Sequence, residues 1–349
     1  MLKAIHYRVA FLFDMSTFFS IIVPVYNRPE EIRELLESLV YQDFEQDYEV
    51  VIVEDGSSER AEDIVKKYQK NLQISYYYKD NSGPGDSRNF GMRKARGNFF
   101  IILDSDCILP KNYLSEVEKE LQTEFVHCFG GPDAAEASFT TVQKAINYVM
   151  TSFLTTGGIR GGKKAVGKFQ PRSFNMGISK TAFEKVGGFG QIHPGEDPDL
   201  TFRIWKSGFH SRLFPKAYVY HKRRIDWNKF YIQVNKFGMV RPILNRWHPG
   251  TARPTYWFPT MFMFGLGLSL VFWVFGMALP ILLYAAYFLL LFLDALVSTK
   301  SPVVALLAIF AALVQFTGYG LGFLKSTILL TFSKKQPEVL FPKLFFKLK

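Results

Sequence analysis

Two places in the chain carry carboxylates that ordinary folding does not require. Asp104-Ser105-Asp106 follows the apolar run Phe99–Leu103, and Glu196-Asp197-Pro198-Asp199 opens a helical pattern directly after a glycine. Residues i and i+2 of an extended segment point the same way, so Asp104 and Asp106 can face one point beyond a strand end. Two carboxylates so placed suit a hard divalent ion, Mg2+ or Mn2+, that keeps positions open for phosphate oxygens. Such an ion offsets their repulsion and stabilises a diphosphate leaving group as a Lewis acid. The plainer alternative is that Asp106 caps a helix near Pro110 while Asp104 ends a strand. In the second cluster, acids at a helix start complement the helix dipole, and Pro198 suits an early helical position. That account covers Asp199 and leaves Glu196 and Asp197, side by side, unexplained.

The elements that must hold these residues alternate in type. Phe18–Asn27 reads as a strand, and the helix after it begins at Pro29 with Glu30 and Glu31 and buries Ile32, Leu35, Leu36 and Leu39. A second strand ends in Glu54-Asp55, a polar helix spans about 60–71, and "QISYYYKD" is a third strand. "GDSRNFGMRKARG" is a third helix and Asn98–Leu103 a fourth strand, apolar from Phe99 onward. This alternation predicts a mostly parallel sheet with helices on both faces, whose ligands bind beyond the carboxyl ends of the strands. The unusual polar residues fall at those ends: Tyr26-Asn27, Glu54-Asp55, Asp80-Asn81 and Asp104–Asp106. No G-x-G-x-x-G follows the first strand, which disfavours a dinucleotide.

Composition divides the chain. Of its 349 residues 48% are hydrophobic, yet from Pro259 to Leu324 the only charged residues are Asp294 and Lys300. That tract exceeds the roughly 20 residues of one bilayer crossing. Three apolar helical segments are expected, at 258–276, 278–297 and 303–324, with Gly276 and Pro280 marking the first break. Net charge is +11, and between Arg203 and Arg253 twelve Lys or Arg face a single acid, Asp226. Basic density directly before an apolar tract fits an anionic lipid surface on the cytoplasmic side rather than nucleic acid. Aromatic residues among Lys and Arg over Trp227–Trp247 suggest an interfacial helix, the alternative being a buried helix of the soluble domain. Cys107 and Cys128 are too few for a zinc site and establish no disulfide framework. Residues 155–173, rich in Gly and Lys, read as a loop that orders over a ligand, or as an ordinary surface loop. Residues 1–14 read as dispensable.

Together "PVYN" (24–27), "VEDGSS" (53–58), "GDSRNFGMRKARGNFFIILDSD" (85–106) and "GEDPDL" (195–200) resemble the family 2 inverting glycosyltransferases of the GT-A fold. The resemblance runs in order from Phe19 to Gly238. The tail "FTGYGLGFL" (316–324) looks like that of membrane-anchored bacterial members that build exopolysaccharide or other surface glycans. At matching positions it implies that Pro24-Val25-Tyr26 bind the nucleotide, with Tyr26 packed on the base. Asp55 would accept hydrogen bonds from a uracil-type base edge or the ribose, and Arg88 would lie near the base. Asp104 would lie near ribose and metal, Asp106 would ligate the metal, and His221 would complete its shell, although a lone histidine is more often an ordinary surface or core residue. Lys222, Arg223 and Arg224 could meet the diphosphate. Asp197 would be the general base, Glu196 the alternative. Ser87 departs from a frequent alanine but stays small.

The expected organisation is an extension (1–17), a GT-A domain (18–226), an amphipathic interfacial segment (227–257), membrane helices (258–332) and a basic tail (333–349). The expected activity is metal-dependent transfer from a nucleotide-sugar donor, UDP-linked, to a lipid-linked saccharide acceptor, at the cytoplasmic face of a bacterial inner membrane. Rivals are a processive polysaccharide synthase and a catalytically silent, membrane-tethered nucleotide-sugar-binding protein. Synthases carry a Q-x-x-R-W motif, and Ile243-Leu244-Asn245-Arg246-Trp247 lacks the glutamine.

Overall fold

A computed structural model describes residues 17–134, 139–157, 169–221 and 226–346. Residues 1–16 of the N-terminal extension, Lys222–Arg224, most of the 155–173 loop and the last three residues of the tail lie outside them. Helices occur at Pro29–Val40 (α1), Glu62–Tyr68 (α2), Pro84–Lys94 (α3), Tyr113–Thr123 (α4), Thr141–Thr151 (α5), Phe153–Thr156 (α6), Lys180–Val186 (α7), Glu196–Lys206 (α8), Trp227–Trp247 (α9), Phe258–Val274 (α10), Leu279–Thr299 (α11) and Pro302–Phe332 (α12). The chain forms two compact units. One contains residues up to Gly131, Pro171–Phe189 and Arg203–Val219; the other contains Pro132–Gln170, Gly190–Phe202 and Tyr220–Lys349.

The first unit is built on a seven-stranded sheet: Phe19–Val25 (β1), Tyr48–Asp55 (β2), Gln73–Lys79 (β3), Phe99–Leu103 (β4), Cys128–Gly130 (β5), Asn175–Ser179 (β6) and Ser211–Leu213 (β7). Their spatial order is β3-β2-β1-β4-β6-β5-β7. The first four strands are parallel, and β6 runs against both of its neighbours. Ile21, Val23, Val50, Ile52, Ile101 and Leu103 point to one face, where the apolar stripe of α1 and Tyr113, Leu114, Val117 and Leu121 of α4 cover them. Truncating one such buried residue to Ala costs about 2–5 kcal/mol. On the other face α3 lies close to the sheet through Gly91, whose added Cβ would come within 2.7 Å of Ile22. The amino ends of the strands are tied by Glu49, which accepts from Ser20 Oγ at 2.6 Å and from Arg96 Nε at 2.9 Å. Burial alone would raise its pKa; the hydrogen bonds from Ser20 and Arg96 outweigh this and hold it below its ordinary value.

The chain order makes β1 pair with β2 on one side and β4 on the other. At that reversal the loops leaving the carboxyl ends part to opposite faces and leave a crevice. The loops after β1 and β4 border it. They carry Tyr26–Arg28 and Asp104–Asp106.

In the second unit, Pro254–Val274, Leu279–Thr299 and Pro302–Phe332 are long and apolar enough to cross a membrane. The third expected segment is longer than its apolar core, because neither Lys325 nor the residues after it break a helix before Ser333. α12 is the hub of this unit. Its Ala305, Ala308, Ala311, Ala312 and Phe316 are buried against Ile146, Tyr148 and Val149 of α5, Phe230 and Val234 of α9, and Leu291 and Ala295 of α11. α9 approaches α12 at backbone distance. A Cβ on Gly238 would lie 2.1 Å from Tyr319 O, and one on Gly322 would lie 2.2 Å from Asn235 O. Asn235 Nδ2 donates to Gly318 O at 2.9 Å. Small residues of this kind let helices pack closely where no hydrophobic drive between them exists.

Candidate functional site

The carboxyl edge of the first unit is organised by turns that the local sequence prescribes. Asn27, two residues past β1, lies in the left-handed region at φ 53°, a conformation asparagine tolerates. Its Oδ1 accepts from Ser58 N (2.8 Å), Ser58 Oγ (3.1 Å) and Glu59 N (3.1 Å), and its own N–H donates to Ser57 Oγ at 2.8 Å. Gly56 turns the end of β2 at φ 75°, where a Cβ would meet Asn81 N at 2.6 Å. Glu54, fully buried, accepts from Tyr76 OH (3.0 Å) and Ala61 N (3.0 Å). It therefore serves the fold rather than the crevice.

Tyr26 is 53% exposed at this edge, an aromatic face open to a flat ligand. Pro24 and Val25 precede it within β1. Asp55 sits opposite Lys79 in the β2–β3 register. Its carboxylate accepts from Lys79 Nζ (2.7 Å), Ser82 N (3.0 Å) and Gly83 N (2.9 Å). The residue is buried and already holds the 79–83 loop. A carboxylate has about four lone-pair sites, so a further donor can still be met.

Asp104 and Asp106 are each engaged by an arginine. Arg88 Nη2, on α3, donates to Asp104 Oδ1 at 2.8 Å. Arg88 is 4% exposed, with its guanidinium 5.3 Å from the Phe189 ring centroid. Arg28 Nη1, from the β1 loop, donates to Asp106 Oδ2. Burial works against the Arg28 charge, but the attraction and hydrogen bond of Asp106 outweigh it and raise its pKa. The donor set suits a hard divalent ion: two carboxylates beyond one strand, with Asp106 nearly buried.

In the second unit, α8 starts with three acids that differ in their partners. Glu196, 5% exposed, pairs through Oε1 with His193 Nδ1 at 2.8 Å. Asp199 Oδ1 pairs with His248 Nε2 at 2.8 Å, and the His248 ring lies 5.1 Å from that of Phe202. Asp197 lies between them, and its carbonyl accepts from Thr201 Oγ1 at 2.8 Å. Gly195, at φ 119°, presses against Val240 of α9, where a Cβ would come within 2.4 Å. His221 ends the short strand Val219–His221.

A family model, Glycosyl transferase family 2, matches residues 20–187. The chain is 42% identical over 101 residues to the poly(ribitol-phosphate) beta-N-acetylglucosaminyltransferase TarS of Staphylococcus aureus, over 28% of this chain and 18% of the relative. It is 26% identical over 231 residues to the probable glycosyltransferase YdaM of Bacillus subtilis, over 63% of this chain and 54% of the relative. The chain thus covers less than two thirds of the length of either. Among solved structures it is similar to the mannosyltransferase PcManGT from Pyrobaculum calidifontis in complex with GDP-Man and Mn2+. The TM-score is 0.56 at 19% identity, covering 96% of this chain and 98% of that one, a likeness of fold.

The matched stretch contains Tyr26, Asp55, Arg88, Asp104 and Asp106, whereas Glu196, Asp197 and His221 follow it. Sequence reasoning missed four partners of these residues: Arg28, Lys79, His193 and His248. Lys79 had a signal, since it ends β3 as Asp55 ends β2. Arg28 had a faint one, being a cation at a helix start, where acids and small polar residues are favoured. The two histidines had none.

Proposed function

We propose that this chain is an inverting glycosyltransferase. It takes a sugar from a nucleotide-diphosphate donor, UDP-linked, and gives it to a lipid-linked saccharide at the cytoplasmic face of a bacterial inner membrane, in surface-polysaccharide assembly. The observation that carries the reading is that Tyr26, Arg88, Asp104 and Asp106 occupy the loops and the helix around one strand reversal in a family 2 domain. The ring of Tyr26 packs on the base. Asp55 adds the base edge or ribose to the donors it already accepts. Asp104 and Asp106 would hold Mn2+ or Mg2+, with His221 as the further ligand that the family resemblance implies, and the ion would supply charge stabilisation for the diphosphate leaving group. Asp197 accepts the proton of the attacking acceptor hydroxyl, a role worth roughly 10²–10⁴ in rate. The apolar helices and the basic run before them support the membrane part of the reading.

The test is transfer itself. The detergent-solubilised full chain is incubated with radiolabelled nucleotide sugars, a bacterial lipid extract and Mn2+, and label is followed into the organic phase. One donor is expected to transfer, with inversion at the anomeric carbon by NMR and loss of turnover in EDTA. Donor binding with no transfer from any donor would leave a nucleotide-sugar-binding protein. Full turnover in excess EDTA would remove the metal.

A further inference from the structure

The two arginines at the aspartate pair differ in a way that assigns them different tasks. Arg88 is 4% exposed, lies along α3 and is packed near Phe189. It is a fixed partner of Asp104. Arg28 is 41% exposed, whereas its partner Asp106 is only 9% exposed, so in this pair the guanidinium is the part with room to move. The other carboxylates whose charge reaches Arg28 are Glu31 and Asp104.

Nothing in the local fold calls for arginine at this position. Residue 28 is the cap residue of α1, its side chain makes no capping hydrogen bond, and its positive charge opposes the helix dipole. What residue 28 has is its location. It follows β1, Asp106 follows β4, and these strands are paired at the sheet's reversal. The left-handed turn at Asn27, held by Ser57, Ser58 and Glu59, precedes it.

The geometry points to Arg28 as a displaceable counter-ion: it occupies Asp106 until a divalent ion arrives, and then passes to the donor's diphosphate. The inference rests on the reading that Asp104 and Asp106 take the metal. A guanidinium and a divalent cation compete for the same carboxylate oxygen, and the departing positive charge needs a new anion. Mn2+ alone must displace Arg28 with nothing to receive it. Mn2+ with a nucleoside diphosphate supplies both the ion for Asp106 and the phosphate oxygens for Arg28. Metal and donor therefore bind cooperatively, and Arg28 is the residue that couples them.

The probe is Mn2+ followed by EPR, with and without UDP, on the full chain in detergent. Wild type, Arg28→Gln, Arg28→Lys and Asp106→Asn are compared, with thermal unfolding as the check on folding. Arg28→Gln is expected to bind Mn2+ alone about tenfold more tightly than wild type, and to bind UDP several-fold more weakly once Mn2+ is saturating. Arg28→Lys, which keeps the charge, should stay near wild type in both. Asp106→Asn should lose Mn2+ binding. If wild type binds Mn2+ but Arg28→Gln binds it equally or more weakly, the coupling role is overturned and the metal reading stands. If neither binds Mn2+, even with UDP, both are overturned. Should Arg28→Gln not fold, Arg28→Lys decides: a Mn2+ affinity tenfold from wild type in either direction overturns the charge competition.

Discussion

The three acids at the start of α8 allow chemistry and stability to be separated, because their partners differ. Asp197→Asn keeps the shape and removes the proton acceptor. Turnover should fall roughly 10²–10⁴-fold, or about 3–5 kcal/mol of barrier. Thermal unfolding in detergent checks that this variant still folds. Glu196→Gln keeps a hydrogen-bond acceptor for His193 but loses the charge. As the side chain is nearly buried, about 0.5–1.5 kcal/mol of stability should go, with turnover within about tenfold of wild type. Asp199→Asn weakens the pairing with His248, in which both side chains are largely buried, and should cost about 1–3 kcal/mol. Two assays are applied to all three variants: thermal unfolding in detergent, and initial rate of label transfer to lipid. Donor affinity by calorimetry should be common to all three. Near-normal turnover in Asp197→Asn would refute the assignment. A hundredfold loss in Glu196→Gln without loss of stability would move the base to Glu196.

Three other outcomes are expected. Asp55→Ala should weaken donor binding and also loosen the loop of Ser82 and Gly83, at a cost of about 1–3 kcal/mol; calorimetry and thermal unfolding check the two effects, and unchanged stability would contradict the second. Glu49 has its folded pKa lowered, so its contribution to stability is present above its unfolded value and is lost as pH falls through the folded one. Glu49→Gln should therefore be less stable than wild type at neutral pH, with the gap closing in the acid range; a gap constant down to low pH would show that its charge is immaterial. Ending the chain at Phe258 removes α12 from α9 and uncovers Phe230, Val234 and Gly238. The shortened protein should aggregate without detergent, and a monodisperse soluble product by light scattering would contradict that packing.

Much was determined by the order of residues alone. Short continuous apolar runs such as Phe99–Leu103, bounded by polar turn residues, fit strands buried on both faces, and the 3.6-residue stripe of α1 fits a helix lying on them, so the alternation and the polar strand tips were legible. The place of the aspartate pair after an apolar strand was legible, but not its conformation: Cys107 N–H donates to Asp104 O at 3.2 Å, so Asp104–Cys107 is a turn and the extended period of two stops at Leu103. The apolar tract after Pro259 declared its three helices by length and composition. Pairing across the chain was not legible. Nothing near Val25 states that β1 lies beside β4, which begins 74 residues beyond Val25 in the chain, yet that adjacency is what brings Arg28 to Asp106. His248 reaches Asp199 across 49 residues, and no periodicity connects them. The glycines of α12 read as part of an apolar tail; only the packed helices show that Gly318 and Gly322 admit the backbone of α9. Periodicity is a short-range signal, set by one residue's geometry relative to the next few. Partner choice for a charge or a bare backbone is set by which elements the collapsed core leaves adjacent, and that was decided only in three dimensions.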